Sequence, residues 1–87
     1  MQIRVELYGI PRARAGVDKT TASGCCLGDV LADLAARFPE LAKVCIDGRE
    51  LRPGYTANLR GERFITDPRI TLSDGDILLL LNLDAGG

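Results

Sequence analysis

Residues 72–83 decide the fold of this 87-residue chain, and they read Leu-Ser-Asp-Gly-Asp-Ile-Leu-Leu-Leu-Leu-Asn-Leu. The Ser-Asp-Gly-Asp stretch at residues 73–76 is a strong turn signal, because these residue types accept the backbone conformations of tight turns. The strand predicted after it, residues 77–83, is apolar on both faces. Continuous apolar residues favour a central strand over an edge strand, so other segments should pair with both of its sides.

Two strands are predicted in the first part of the chain. Residues 3–8 alternate apolar and polar side chains with a period of two, which indicates a strand with one apolar face. Residues 9–16 contain proline and two glycines and are predicted to form a loop. Residues 17–22 are β-branched enough for a second, edge-like strand. The two strands are expected to form a hairpin.

The period changes from residue 27 onward, which indicates a helix. Apolar residues recur at spacings of three and four along one helix face, namely Leu27, Val30, Leu31, Leu34, Ala35 and Phe38. Asp29 lies in the first turn, where a carboxylate interacts favourably with the helix dipole. Pro39 is expected to end the helix. The apolar face should cover one side of the sheet.

The remaining segments predict a second hairpin. Residues 40–53 hold turn dipeptides without sustained periodicity and are interpreted as a connection, with room for one helical turn. Strand-forming residues at 55–59 and 62–66 flank a turn at Arg60-Gly61. The order β-β-α-β-β-β predicts an α+β fold. Its mixed sheet has four to five strands, one main helix packs on one face, and the first and last strands are parallel.

The composition indicates one small globular domain. Apolar residues make up 46% and charged residues 26% of the chain, which are ordinary values. The net charge of −1 gives no basic stripe for nucleic acid, which is therefore not an expected partner. No stretch reaches the roughly 18 apolar residues of a membrane span, and the N-terminus is charged where a signal peptide is apolar. We expect a cytoplasmic protein with no membrane partner.

Three cysteines, Cys25, Cys26 and Cys45, are an odd number without the spacing of a disulfide framework. The chain has no histidine and no C-x-x-C pair, so no metal site is predicted. Cys25 and Cys26 precede the predicted helix, whose dipole can lower a thiol pKa. A nucleophilic role is the alternative, but the chain offers no histidine base. Small apolar packing is the favoured interpretation for all three.

Residues 84–87 are predicted to form a flexible tail after a domain of residues 1–83. The tail ends in Gly86-Gly87, and glycine, which has no Cβ, can thread a narrow channel. Four extended residues span roughly 13 Å, which is enough to carry a carboxylate into the active site of another protein. The alternative is an unconstrained terminus without a function.

The chain resembles the ubiquitin-like β-grasp sulfur carriers of the MoaD/ThiS family over nearly its whole length. The resemblance rests on the order and spacing of four segments, which are the alternating strand 3–8, the helix segment 27–34, the strand and turn 57–62, and the turn 72–76 that leads through an apolar strand to Gly86-Gly87. It implies a β-grasp, ubiquitin-like fold.

The family resemblance also implies a function. A partner, an E1-like adenylating enzyme, uses ATP to adenylate the carboxylate of Gly87, and sulfur then replaces AMP to give a thiocarboxylate. Gly86 is the tail spacer. The resemblance further implies that the chain itself binds no cofactor and is not an enzyme. It is a protein co-substrate, or the small subunit of a sulfurtransferase complex, that passes sulfur to a synthase subunit.

The sulfur acceptor stays open between molybdopterin and thiamine synthesis. Family members that serve molybdopterin synthesis commonly carry prolines before the two glycines, whereas this chain has Asn-Leu-Asp-Ala at residues 82–85. The chain is longer than the compact thiamine-type carriers. Arg60-Gly61 also replaces the Asn-Gly turn that is frequent in the family. The oligomeric state is likewise left open.

Strand parity indicates a partner-binding face. By resemblance, Leu78 and Leu80 point under the helix, which leaves Ile77, Leu79 and Leu81 on the other face of the sheet. Tyr8 and Phe64 are expected to join Leu79 and Leu81 there as partner-binding residues, because contiguous exposed apolar surface usually marks a binding site. The alternative is a strand covered on both faces, by residues 12–16 or by self-association.

Two other classes of function stay open. A ubiquitin-like modifier would use the same adenylated Gly87 but transfer it to a lysine amine of a target protein. A non-catalytic β-grasp binding module would use the sheet face and leave Gly86-Gly87 without a role. Isopeptide-linked conjugates would favour the first class, and a harmless removal of the two glycines would favour the second.

Overall fold

The structure is a computed structural model that describes residues 1–83. In chain order its elements are β1 (Gln2–Leu7), α1 (Gly9–Ala15), β2 (Lys19–Ser23), α2 (Leu27–Arg37), α3 (Pro39–Cys45), β3 (Ile46–Asp47), β4 (Glu50–Leu51), β5 (Tyr55–Leu59), β6 (Arg63–Ile65) and β7 (Ile77–Asn82). Of these, β3 and β4 form a separate two-stranded ribbon, and the other five strands form one sheet.

The strands of the main sheet lie in the order β2-β1-β7-β5-β6. β7 is the central strand, as its continuous apolar run predicts. It pairs in parallel with β1 and antiparallel with β5. The outer pairs, β1 with β2 and β5 with β6, are antiparallel hairpins. The predicted mixed sheet, with its first and last strands parallel, is therefore confirmed.

The core lies between one face of the sheet and helices α2 and α3. The side chains of β1 with odd numbers are buried there, and so are the apolar residues of α2 that recur at spacings of three and four. The largest fully buried side chains of the core as a whole are Ile3, Leu7, Leu27, Leu31, Leu34, Leu41, Ile46, Leu59, Leu72, Leu78 and Leu80. The helix prediction and the direction of its apolar face are confirmed.

The loop predicted at residues 9–16 is wrong, because Gly9–Ala15 forms helix α1. Proline and glycine act here as signals for the start and the end of a helix. Pro11 occupies the first turn, where proline is tolerated because the first N–H groups of a helix have no partner within it. Gly16 ends α1 in the left-handed conformation with φ of +80°. The following strand begins at Lys19 rather than at residue 17.

The segment after α2 also carries more helix than predicted. Pro39 does follow the end of α2, but it also occupies the first turn of α3, a position that suits its fixed φ. Residues 40–53 were expected to form a connection with one helical turn, and they contain most of the seven-residue helix α3 and both strands of the ribbon. Among the helices of residues 1–83, none has the length and apolar character needed to cross a membrane.

The hairpin of β5 and β6 turns at Arg60-Gly61, as predicted. Both residues have positive φ, +58° and +74°, which is the requirement of a type I′ turn. Three contacts of Arg60 stabilise this uncommon conformation. Its N–H donates to the Ile77 carbonyl at 2.8 Å, and its guanidinium contacts Asp76 at 2.8 Å and Glu62 at 3.0 Å. The turn is therefore joined to the start of the central strand.

Candidate functional site

The sheet has an open face, which is the face turned away from α2. Its side chains alternate with those of the core and belong to Arg4, Glu6, Tyr8, Lys19, Thr21, Thr56, Asn58, Phe64, Ile77, Leu79 and Leu81. One row crosses all five strands, because the strand register places Lys19 opposite Glu6, Glu6 opposite Leu79, Leu79 opposite Asn58, and Asn58 opposite Phe64. The row is charged at the β2 end and apolar at the β6 end.

The parity predicted for β7 is confirmed. Leu78 and Leu80 are 0% and 1% exposed beneath the helices, whereas Ile77, Leu79 and Leu81 are only half-buried. Because these three side chains keep part of their surface in solvent, the single chain does not cover both faces of the strand. Residues 12–16 therefore do not bury the second face of β7, and that alternative is wrong for the single chain.

The four predicted partner-binding residues share the open face. Phe64 is 65% exposed and lies two strands away from Leu79, with Asn58 on the strand between them. Tyr8 is 44% exposed, and continuing the register of Leu7 with Leu80 places it beside Leu81. Its hydroxyl donates to Glu6 Oε1 at 2.5 Å, and this bond raises the pKa of Tyr8. The phenol is thereby oriented along the face.

Asn58 is a residue of this face that the sequence reading missed. It is only 9% exposed, and its Oδ1 has no hydrogen-bond partner among residues 1–83. A buried acceptor without a partner costs free energy, and this one lies between Leu79 and Phe64. The signal in the sequence was available, since asparagine is depleted in strands and this one lies within Tyr55–Leu59.

The other half of the open face is polar. Arg4, Glu6, Lys19 and Thr21 line a shallow groove of about 370 Å³ over β1 and β2. Charges of both signs occur there, so the groove has no strong preference for an anion or a cation. A partner that covers Leu79 would meet apolar surface on one side and this polar groove on the other.

The root of the tail, which we define as Asn82 and Leu83, is held on two sides. Asn82 Oδ1 accepts a hydrogen bond from the Ile10 N–H at 3.0 Å, and the Leu83 N–H donates to the Gly54 carbonyl at 2.7 Å. The predicted reactive residues Gly86 and Gly87, and the predicted tail 84–87, lie outside the described residues. The strand that carries Leu79 and Leu81 therefore leads directly, through its fixed end, into the segment that bears the two glycines.

The cysteines do not behave alike. Cys45 is buried in the core, as the packing interpretation predicts, but Cys25 is exposed and Cys26 half-buried. Asp29 accepts from the Cys25 N–H at 3.1 Å and from its Sγ at 3.3 Å. That hydrogen bond raises the pKa of Cys25, which opposes thiolate formation.

Asp29 itself is ion-paired with Arg49, and this contact lowers the pKa of its carboxyl. The negative charge beside Cys25 is therefore kept over the ordinary pH range, and the exposed thiol is held in a form that is a poor nucleophile. No group of three or more His, Cys, Asp and Glu side chains within residues 1–83 is placed to hold a metal ion.

Comparison with known proteins supports the fold. No family model matches the chain, and no curated protein matches its sequence. Among solved structures, the small archaeal modifier protein SAMP1 from Haloferax volcanii is similar, with 23% identity, a TM-score of 0.80 and complete coverage of both chains. A chain of the Amycolatopsis orientalis BexX/CysO complex has 19% identity and a TM-score of 0.80, with 98% of this chain and 99% of that chain covered.

A putative molybdopterin converting factor, subunit 1, from Pyrococcus furiosus is also similar. It has 19% identity and a TM-score of 0.77, and 97% of this chain and 99% of that chain are covered. These likenesses extend over the whole length of all three proteins, so they concern the complete fold rather than one motif. The chain has the β-grasp fold, and the resemblance to the MoaD/ThiS carriers that the sequence indicates is confirmed at the level of that fold.

Proposed function

We propose that this chain is a sulfur carrier whose Gly87 carboxylate is adenylated by a partner enzyme and converted to a thiocarboxylate. The observation that carries the proposal is the course of β7. One strand presents Leu79 and Leu81 on the open face and, after its end at Asn82, leads into the segment with Gly86-Gly87. In this proposal, a partner that binds the face receives the carboxylate through the four residues that follow Leu83. The proposal requires Gly87 to be the carboxyl-terminal residue of the mature protein.

The chemistry needs little from the carrier. A carboxylate is a poor electrophile, because its charge is shared between both oxygens. In the first step a carboxylate oxygen of Gly87 attacks the α-phosphorus of ATP, pyrophosphate leaves, and an acyl adenylate forms. In the second step sulfur from a sulfide-level donor attacks the carbonyl carbon and AMP leaves with its electron pair. ATP supplies the energy and the partner supplies the catalytic groups, so the carrier is a co-substrate and not an enzyme.

The open face supplies the docking surface in this proposal. Phe64, Leu79, Leu81 and Tyr8 offer apolar surface to the E1-like adenylating enzyme and, in a later step, to a synthase subunit that accepts the sulfur. Buried apolar and aromatic anchors dominate binding at protein interfaces. Asn58 Oδ1, which lacks a partner in the single chain, adds an acceptor at the centre of this surface for a hydrogen-bond donor of the partner.

The similar structures give independent support. One of them was solved as the BexX/CysO complex, so a protein with this fold was crystallised with a partner protein. Another is described as a putative subunit of a molybdopterin converting factor. Both molybdopterin-type and thiamine-type acceptors are compatible with the proposal, and a purified synthase of each type would show which one removes sulfur from the carrier.

The direct test is a mass measurement. The purified chain is incubated with an adenylating enzyme, ATP and a sulfur donor, and the intact protein should gain the mass difference between sulfur and oxygen. A chain with a tag after Gly87 should show no change, whereas the same tag placed before Met1 should have no effect. A mass shift in the chain tagged after Gly87, with the tag still attached, would contradict the proposal.

A protein modifier is the second candidate, and the similarity to small archaeal modifier protein 1 favours it. A modifier uses the same adenylate but transfers the Gly87 acyl group to a lysine amine, so an isopeptide bond forms and AMP leaves. Peptides in which a lysine carries the C-terminal residues of this chain, found after protease digestion of a lysate, would establish that outcome. If the intact chain showed neither activity, and deletion of Gly86 and Gly87 were harmless to the cell, a binding module without a reactive tail would be the better description.

A further inference from the structure

The end of the central strand is bonded to a helix that belongs to the opposite end of the chain. Asn82, the last residue of β7, accepts a hydrogen bond on Oδ1 from the backbone N–H of Ile10 in the first turn of α1, at 3.0 Å. The two residues are 72 positions apart in the sequence. The contact therefore exists only in the folded chain, and it joins the tail root to α1.

This contact completes a helix that lacks its own cap. The first N–H groups of a helix have no partner within it, and a polar residue at the N-cap usually accepts one of them. Tyr8 occupies the N-cap of α1, and its side chain makes no capping hydrogen bond. Instead, its hydroxyl is bonded to Glu6. Asn82 supplies the missing acceptor from β7.

Gly9 keeps the place of the Asn82 side chain open. Its φ is +58°, a conformation that favours glycine, and a Cβ on this residue would overlap Asn82 Oδ1. On the other side of the root, the Leu83 N–H donates to the Gly54 carbonyl at 2.7 Å in the turn before β5. The last described residues before the tail are thus held by α1 on one side and by this turn on the other.

We propose that Asn82 is a positioning residue, which fixes the direction in which the chain leaves the domain after Leu83. The inference rests on the proposed function, because direction matters only if Gly87 must enter a partner's active site. Four extended residues give the carboxylate a reach of roughly 13 Å. A fixed root restricts the space in which that carboxylate is found. A larger fraction of the bound carriers then holds the carboxylate in a reactive position, which favours the adenylating step.

Two substitutions of similar size separate the effect of the hydrogen-bond acceptor at residue 82 from the effect of side-chain packing there. Asn82→Asp keeps an oxygen that can accept the Ile10 N–H, and Asn82→Leu removes it. The first measurement needs no partner enzyme and is the ¹⁵N heteronuclear NOE of the Leu83 amide. We expect Asn82→Leu to lower this NOE and Asn82→Asp to leave it near the wild-type value. If the NOE is the same in all three proteins, Asn82 does not fix the root and the inference is overturned.

The second measurement is pyrophosphate release by the adenylating enzyme as the carrier concentration is varied. Asn82→Leu should lower kcat by about tenfold with KM unchanged, because the docking residues Leu79 and Leu81 are intact. Asn82→Asp should have a kcat near the wild-type value. A rise in KM alone, or equal losses in both variants, would contradict the positioning role.

The two measurements distinguish failure of the inference from failure of the proposed function. If the wild-type chain is not adenylated at all, the proposed function fails, and the NOE still decides whether Asn82 fixes the root. If the wild-type chain is adenylated and the Leu83 NOE and kcat of Asn82→Leu are both unchanged, only the positioning role fails. Should Asn82→Leu not fold, Asn82→Ala takes its place, because the smaller side chain cannot overlap α1.

Discussion

Leu79 lies directly opposite Asn58 across the antiparallel pair of β7 and β5. One residue is a half-buried leucine and the other an almost fully buried amide, whose Oδ1 has no hydrogen-bond partner in the described chain. Phe64 follows Asn58 on the next strand and is largely exposed. An exposed apolar surface usually marks a site for binding another protein. The unsatisfied acceptor within it lowers the stability of the domain as long as no partner donates a hydrogen bond to it.

Leu79→Glu should weaken binding to the adenylating enzyme by about 2 kcal/mol or more and leave the domain folded. The new carboxylate would lose its water in the interface, but it does not enter the core because Leu79 points to the open face. Titration calorimetry measures the affinity, and circular dichroism checks the fold. Thr21→Glu, on the polar half of the same face, is the matched control and should bind almost normally. Unfolding of Leu79→Glu would show that the face is required for the core.

Asn58→Val should raise the free energy of unfolding by about 1 kcal/mol, because it removes a buried acceptor without a partner and places a β-branched side chain in a strand. Urea denaturation of the two proteins tests this. The same variant should bind the adenylating enzyme less tightly, since the acceptor offered to the partner is gone. A lower free energy of unfolding would mean that the Asn58 amide stabilises the folded chain.

Gly86→Val should lower the yield of thiocarboxylate by at least about tenfold. The β-branched side chain narrows the allowed backbone conformations and widens the tail. The melting temperature should not change, because the buried core residues of the described chain run in sequence from Ile3 to Leu80 and position 86 comes after the last of them. Mass spectrometry of the intact protein gives the yield. An unchanged yield would mean that the partner does not select the diglycine by its width or its conformational freedom.

Asp76→Asn should reduce the acid sensitivity of the fold. Asp76 is 8% exposed and accepts from the Ser73 N–H at 2.8 Å and from Arg60 at 2.8 Å, and these bonds lower the pKa of its carboxyl. A lowered pKa stabilises the fold above the ordinary carboxylate value of about 3.9, and this contribution is lost as the pH falls through the lower value of the folded state.

Urea denaturation at several pH values between about 6 and 2 measures this effect. Asp76→Asn should be less stable than the wild type at neutral pH and should lose less stability on acidification. Glu62→Gln is the control, because it removes a 70% exposed carboxylate from the same Arg60 guanidinium and an exposed ion pair contributes little. Equal acid slopes in the wild type and Asp76→Asn would contradict the assignment.

The sequence by itself determined the parts of the fold that depend on local pattern. The period of two in residues 3–8 and the spacing of three and four from Leu27 to Phe38 predicted a strand and a helix with their buried faces, and the structure has them at Gln2–Leu7 and Leu27–Arg37. The continuous apolar run identified β7 as the central strand, and parity then separated Leu78 from Leu79. These predictions succeeded because burial on one face imposes a periodicity that a short stretch of sequence displays in full.

Tertiary structure alone decided the cap of α1 and the contacts of the tail root. Proline and the two glycines at residues 9–16 predict a loop, although the same residue types also mark the two ends of a helix. In the folded chain, β7 brings the Asn82 side chain to the Ile10 N–H, and Gly9 leaves room for it. The isolation of Asn58 Oδ1 likewise depends on strands that are distant in the chain. A hydrogen bond between residues 72 positions apart leaves no periodic trace in sequence, because its donor and its acceptor belong to distant segments that only the folded sheet and helix bring together.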